Sequence, residues 1–303
     1  GSDLAWIAKP PAGTTCPAAS SFKQGVYHYL KNTDGSDVYA PVPARQVDSS
    51  TTGWVITTPS YTSANYLTLF NVTEDPNTGN ADLSSPASVS VPSYSFPPSA
   101  PQAGVTKAGT RAMPLETRIY LSNAYLSINP KYSSTQPVIW TAHTVSGGAG
   151  SEVRWYEVNP LTHALVNSGV VSDPSLYVYN GSIAPDRLVK GAKTAFGDSA
   201  VISVNTSSST SYTAIQMAGV KSGAGTSPLV MVKQSTGTDM DYSCSEPYAT
   251  ACRWGDYSGA TPDPGATVKG ALTGGVWLGN QWNLPTINDE TPVWQTVIFR
   301  AQP

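Results

Sequence analysis

The chain has 303 residues, with 17 Lys and Arg against 20 Asp and Glu and a formal net charge of −3; with no basic run to neutralise a phosphate backbone, it argues against a nucleic-acid partner. No apolar stretch approaches the roughly 20 residues that cross a bilayer, so a membrane-spanning helix is not expected. Only 12% of the residues are charged, yet 40% are apolar and 8 Trp and 16 Tyr are present, enough to bury a core rather than leave the chain disordered.

Helical periodicity is almost absent. Short β-rich runs are divided by Gly, Pro, Ser, Asn and Asp, and the 25 prolines suit turns and edges. The runs come in pairs. Leu4–Ile7 with Val26–Leu30 is the weakest. Trp54–Thr57 is followed by Tyr66–Val72, Val138–Thr141 by Val153–Val158, Ala200–Ser203 by Tyr212–Met217, and Val276–Gly279 by Val293–Phe299. The first member of each pair is nearly continuous in apolar residues, as expected of a strand covered on both faces. Ala87–Val91 and Pro228–Lys233 read as extra strands, and long loops fall around residues 73–115 and 236–253. The repeated pair predicts a single all-β domain over residues 1–303: a β-propeller of about five or six blades of antiparallel strands with long loop insertions. A β-sandwich with an appended domain competes, because the spacing of the pairs is irregular.

Three cysteines are present. Cys244 and Cys252 are close enough in sequence for a disulfide that closes a small loop, while Cys16 is left over. Gly1-Ser2 reads as an expression scar, so upstream sequence is expected to have been removed.

The most specific stretch is Arg253-Trp254-Gly255-Asp256-Tyr257-Ser258-Gly259-Ala260-Thr261-Pro262-Asp263-Pro264, followed by Val276–Asn280 and Trp294–Thr296. It resembles the last blade of secreted bacterial propeller proteins of sialidase-like architecture, most of them uncharacterised, and Val138–Thr144 with Val153–Val158 looks similar as well. The resemblance implies a propeller fold and export. It does not extend to the Asp-box repeats of sialidases, of the form Ser-x-Asp-x-Gly-x-x-Trp, which the chain lacks.

Ligands of propellers sit at the mouth of the central channel, so polar residues near the inner strands are the candidates. The catalytic candidates are Asp256, Asp186 and Glu116, which could supply the two carboxylates of a glycoside hydrolase. The candidate ligand-binding residues are Arg253, Asp256, Tyr257, Arg118, Arg111, Arg187 and His143. Each has a plainer reading: Asp and Arg at such places pair and hold loops, and His143 suits a satisfied core histidine. Asp263, between two prolines, reads as a turn residue. Asp256 and Asp263 are the weak candidates for a Ca²⁺ site, and no other cofactor is implied. Trp140, Trp155, Trp277 and Trp294 are expected in the core, while Tyr61, Tyr66, Tyr177, Tyr179, Tyr257 and Trp282 lie near loops where they could stack on sugars. Asn71, Asn180 and Asn205 match the N-glycosylation acceptor pattern. No serine-hydrolase, zincin or nucleotide-binding signature occurs. The expectation is a secreted or cell-surface, non-catalytic module that recognises a glycan or an extracellular protein. The alternatives are a glycoside hydrolase and a structural part of a larger extracellular protein.

Overall fold

The computed structural model describes residues 1–10, 13, 22–59, 63–105, 113–221, 224–245, 249–255, 258–265, 270–285 and 293–303. Apart from a short 3-10 turn at Tyr242–Ser245, every regular element among them is a β-strand. No helix among the described residues is long and apolar enough to cross a membrane.

The strands form successive antiparallel sheets. The first pairs β1 (Leu4–Ile7) with β2 (Gln24–Tyr27). The second starts at β3 (Val38–Pro43), whose chain continues through the two-residue β4 (Arg45–Gln46), and runs β3, β5 (Gly53–Pro59), β6 (Ala64–Glu74). β7 (Ala81–Leu83) and β8 (Ala87–Tyr94) share the far edge of β6. The third runs β9 (Ala124–Ile128), β10 (Pro137–Gly147), β11 (Gly150–Asn159), β12 (Ala164–Val171), with β4 added parallel to β9. The fourth starts at β13 (Tyr177–Pro185), which is followed by the small hairpin of β14 (Leu188–Lys190) and β15 (Lys193–Ala195). It continues with β16 (Ser199–Ser208) and β17 (Ser211–Lys221), and β18 (Gly225–Thr226) and β19 (Val230–Gln234) lie beyond β17. The fifth is β20 (Gly259–Pro262), β21 (Val276–Leu284), β22 (Val293–Ala301). Sheets two to five are therefore each laid down from one edge to the other in chain order.

Each sheet packs face to face on the next. Alternation along β10 shows why its sequence is apolar throughout: Val138, Trp140 and Ala142 face the fourth sheet, while Ile139 and Val145 face the second. Trp140 and Trp155 stack with centroids 6.0 Å apart, buried against Val178, Ile202 and Val204. Leu4 packs on Val55 and Phe70 to join the first and second sheets, and Val201 and Ala184 meet Val276 and Leu278 to join the fourth and fifth. Among the described residues the four larger sheets pack in succession, with the β1–β2 pair against the second.

The apolar runs prominent in the sequence are the second strands β5, β10, β16 and β21, which are paired on both edges. The leading strands β9, β13 and β20 lie close together. Asn123 donates to the Ile183 carbonyl at 2.8 Å, Arg45 reaches the Tyr125 hydroxyl at 3.1 Å, and that hydroxyl donates to the Ala260 carbonyl. Two expectations are corrected. Trp277 and Trp294 are 40% and 47% exposed, because no further described sheet covers the outer face of the fifth. Tyr179, expected near a ligand, is fully buried among Leu115, Trp254 and the half-cystines Cys244 and Cys252.

Candidate functional site

Asn180 organises the end of the stack where the leading strands meet. Asn180-Gly181 would ordinarily turn a hairpin, but here it forms a bulge in β13, with the register shifting between Tyr179 and Ser182 and Asn180 at φ 49°. The Asn180 side chain accepts from the Arg118 amide at 3.1 Å and donates to the carbonyls of Glu116 at 3.1 Å and Trp254 at 2.8 Å. Its own amide donates to Thr144 Oγ1 at 2.9 Å. One amide side chain thus ties together the approach to β9, strand β10 and the segment before β20. Gly255 is required beside it: at φ +79° a Cβ there would lie 2.6 Å from Asn180 Nδ2. Such a buried and bonded Asn180 is no glycan acceptor, and the same holds for the fully buried Asn205.

Around this hub lie two neighbouring cavities that share Arg118 and Tyr120. The inner one, about 70 Å³, is lined by Ser122, His143, Thr144, Asn180, Gly181 and Ser258 besides the shared pair. Space of that size admits water. The outer basin, about 560 Å³, falls in the range of ligand pockets. Its walls include Tyr39, Phe96, Glu116, Thr250 and Arg253. Tyr39 and Tyr120 meet edge to face at 5.7 Å, and the Arg118 guanidinium lies 5.4 Å from the centre of the Tyr120 ring. The disulfide between Cys244 and Cys252 anchors the loop on this side, where the Arg253 amide donates to Ser243 Oγ at 2.8 Å.

The sequence candidates fall into separate groups. Glu116, Arg118 and Arg253 share the basin, and Glu116 is ion-paired with Arg118 at 2.9 Å. His143 lies behind them, buried. Its Nδ1 donates to the Ile119 carbonyl at 2.7 Å, so Nε2 accepts from the Tyr156 hydroxyl at 2.9 Å. Burial pushes its pKa down to about 4, keeping the ring neutral. This is a satisfied core histidine.

Asp186 lies six and Arg187 seven residues beyond Asn180, just past the end of β13. The Asp186 carboxylate accepts from the amides of Gly197 at 2.8 Å, Gly274 at 3.0 Å and Ser199 at 3.3 Å. Burial raises its pKa, with the three amides opposing. Gly274 is obligatory there, because a Cβ would fall 1.9 Å from the Asp186 carbonyl oxygen. Arg187 grips Asp48 through Nε and Nη2, the closest contact 2.7 Å, and donates to the Phe196 carbonyl. Asp263 accepts from Arg300 Nε at 2.6 Å and the Gly265 amide at 2.9 Å, the arrangement of a turn residue. Burial opposes its ionisation, but Arg300 and that amide outweigh burial and hold its pKa low. Glycosidase carboxylates stand about 5 to 9.5 Å apart; Glu116 lines the outer basin, and Asp186 is not among its walls. Asp256, Tyr257, Arg111, Tyr61 and Cys16 lie outside the described residues.

Sequence reasoning missed Asn180, Tyr39 and Tyr120, and also two buried acids. Asp239 and Glu157 are pushed up to about 7, in both cases mainly by burial. Asp239 is close to both half-cystines, but sulfurs joined to each other do not ligate a metal, so this group is no metal site. No protein-family model matches the chain, and no curated protein shows significant similarity to it.

Proposed function

We propose that the chain is a β-propeller of five blades, secreted or displayed at the cell surface, that recognises a glycan or an extracellular protein without cleaving it. The propeller reading draws support from sheets that stack in chain order, each starting at a leading strand, with β9, β13 and β20 gathered on one side. Counting the β1–β2 sheet as the first blade gives the number five. The disulfide fits an oxidising compartment.

One observation carries the recognition reading. The basin of about 560 Å³ presents Tyr39, Phe96 and Tyr120 beside Arg118 and Arg253; of the described candidate acids, Glu116 is ion-paired with Arg118 and Asp186 accepts from three backbone amides. Aromatic faces and guanidinium forks bind sugars and acidic groups; a glycosidase needs two acids at one bond.

The test is a panel of polysaccharides and glycans scored for both retention and cleavage, with Tyr120→Ala, Arg253→Ala and Asp256→Asn beside the parent. The expected result is retention without new reducing ends, weakened about tenfold or more by Tyr120→Ala, as loss of about 1.4 kcal/mol implies. Cleavage that disappears in Asp256→Asn would overturn the reading in favour of a glycoside hydrolase.

A further inference from the structure

Strand β4 makes the only parallel pairing among the described strands, with Arg45 opposite Tyr125 of β9. It lies between β3 and β5 of the second sheet, yet it pairs with the third. Its flanks are fixed on both sides. The Ala44 amide donates to the Trp54 carbonyl at 2.8 Å, and the Val47 amide donates to the Leu126 carbonyl at 2.9 Å. Arg45 is thus carried on a short strand that bridges two sheets, not on a loose loop.

A cleft of about 490 Å³ opens beside this strand, within the range of ligand pockets. Its walls include Arg45, Tyr125, Arg187, Val189, Thr261 and Pro262, and it shares no lining residue with the outer basin. Charge is unbalanced in it. Arg187 is buried and engaged by Asp48 and the Phe196 carbonyl. Asp263, next to Pro262, is engaged by Arg300. Arg45 is exposed and has no carboxylate partner among the described residues. One positive charge in the lining therefore stays uncompensated.

That charge is held in place. The Tyr125 hydroxyl gives its one hydrogen to the Ala260 carbonyl, so toward Arg45 it can only accept, and it does so from Nη1 at 3.1 Å. The Tyr125 ring is buried, with its centre 5.8 Å from the guanidinium carbon. One N–H of the guanidinium is committed in this way, and the others have no bond among the described residues. A side chain anchored beforehand loses less freedom when a ligand arrives.

We propose that this cleft is a binding site separate from the basin, for a monoanionic organic acid whose carboxylate is taken by the Arg45 guanidinium. A guanidinium offers parallel N–H groups that match the two oxygens of a carboxylate. The single uncompensated charge sets the charge of the ligand. A carboxylate carries one negative charge, whereas a phosphate ester carries about 1.5 to 2 and would leave an excess. Val47, Val189 and the prolines at 262 and 264 give the carbon body of the acid an apolar wall.

The test is a ligand-observed NMR titration with benzoate, its neutral isostere benzamide, and the dianion phenyl phosphate, on the parent, Arg45→Gln and Arg253→Ala. Benzoate is expected to bind the parent, more tightly than either of the other two. Arg45→Gln, at an exposed position, is expected to keep the parent's Tm and to weaken benzoate by about tenfold or more. Added salt is expected to weaken benzoate and leave benzamide unchanged. A parent that binds no benzoate, or binds benzamide or phenyl phosphate as tightly, overturns the proposal. So does benzoate binding that survives Arg45→Gln, and one lost only in Arg253→Ala assigns the acid to the basin instead.

Discussion

The interface between the third and fourth sheets and the interface between the fourth and fifth hold similar strands together by different means. In the first, Trp140, Trp155, Val138 and Val153 meet Val178, Ile183, Ile202 and Val204. There, the indole of Trp155 donates to Thr226 Oγ1 at 2.9 Å. In the second, the apolar patch shrinks to Ala184, Val201, Ala260, Val276 and Leu278. Beyond it Asn280 donates to Ser203 Oγ at 3.1 Å with both residues buried, and Lys233 lies 4.2 Å from the centre of the Trp282 ring. Asn283, on the same strand β21, donates from its side chain to Asp239 Oδ1 at 3.1 Å and from its backbone amide to Ser235 Oγ at 2.9 Å. Apolar burial is non-directional: it fixes which faces meet and how closely. Hydrogen bonds between buried side chains fix which residue meets which, and they cost stability when half broken.

The largest effect is expected from breaking the apolar interface. Trp155→Ala should cost about 3–5 kcal/mol, read as the fall in stability extrapolated from urea unfolding. No polar replacement at a neighbouring position should restore it. The polar interface should behave in the opposite way. Asn280→Ala strands the Ser203 hydroxyl and should cost about 1–3 kcal/mol, but adding Ser203→Ala should return most of that loss, because removing both partners leaves nothing unsatisfied. A double variant as unstable as the sum of the single ones would show that packing, not hydrogen bonding, holds the fifth sheet.

The smallest effect is a dependence on pH. Asp239 titrates at about 7 in the folded chain because it is buried, against an ordinary value of 3.8. Between those values the folded state binds the proton that the unfolded state has lost, so stability is highest at the acid end of the window and falls as pH rises toward 7. The slope for one such group is at most about 1.4 kcal/mol per pH unit. Glu157, also at about 7 and buried beside Asn129, adds a slope of the same sign. Asp239→Asn keeps a partner for Asn283 and should flatten the part due to Asp239, measured as Tm against pH. An unchanged profile in that variant would assign the slope to Glu157 and Asp186, the other buried acids whose pKa burial raises.

The second and third strands of sheets two to five were legible in the sequence because both faces of β10 and β16 are covered and their apolar runs are unbroken. The leading strands were not. β9 is only five residues long, and β20 only four. β13 contains Asn180-Gly181, whose local preference for a turn is overridden by bonds to three other segments. The same override hid the centre of the site. Arg118 and Arg253 could be named from residue type, whereas Asn180 gathers its partners from positions 62 to 74 residues away and Thr144 from 36. Trp277 was misplaced for the reverse reason: its strand alternates as a buried strand should, but alternation does not say whether anything covers the second face.

The hydroxyl of Tyr125 belongs to the third sheet and bonds to the Ala260 carbonyl of the fifth, passing over the leading edge of the fourth. A row of sheets that touched only their immediate neighbours would come apart like pages turned one at a time from the end of a book. With this clasp at the spine, the last page cannot lift without pulling on one two leaves away, which makes the three a single cooperative block.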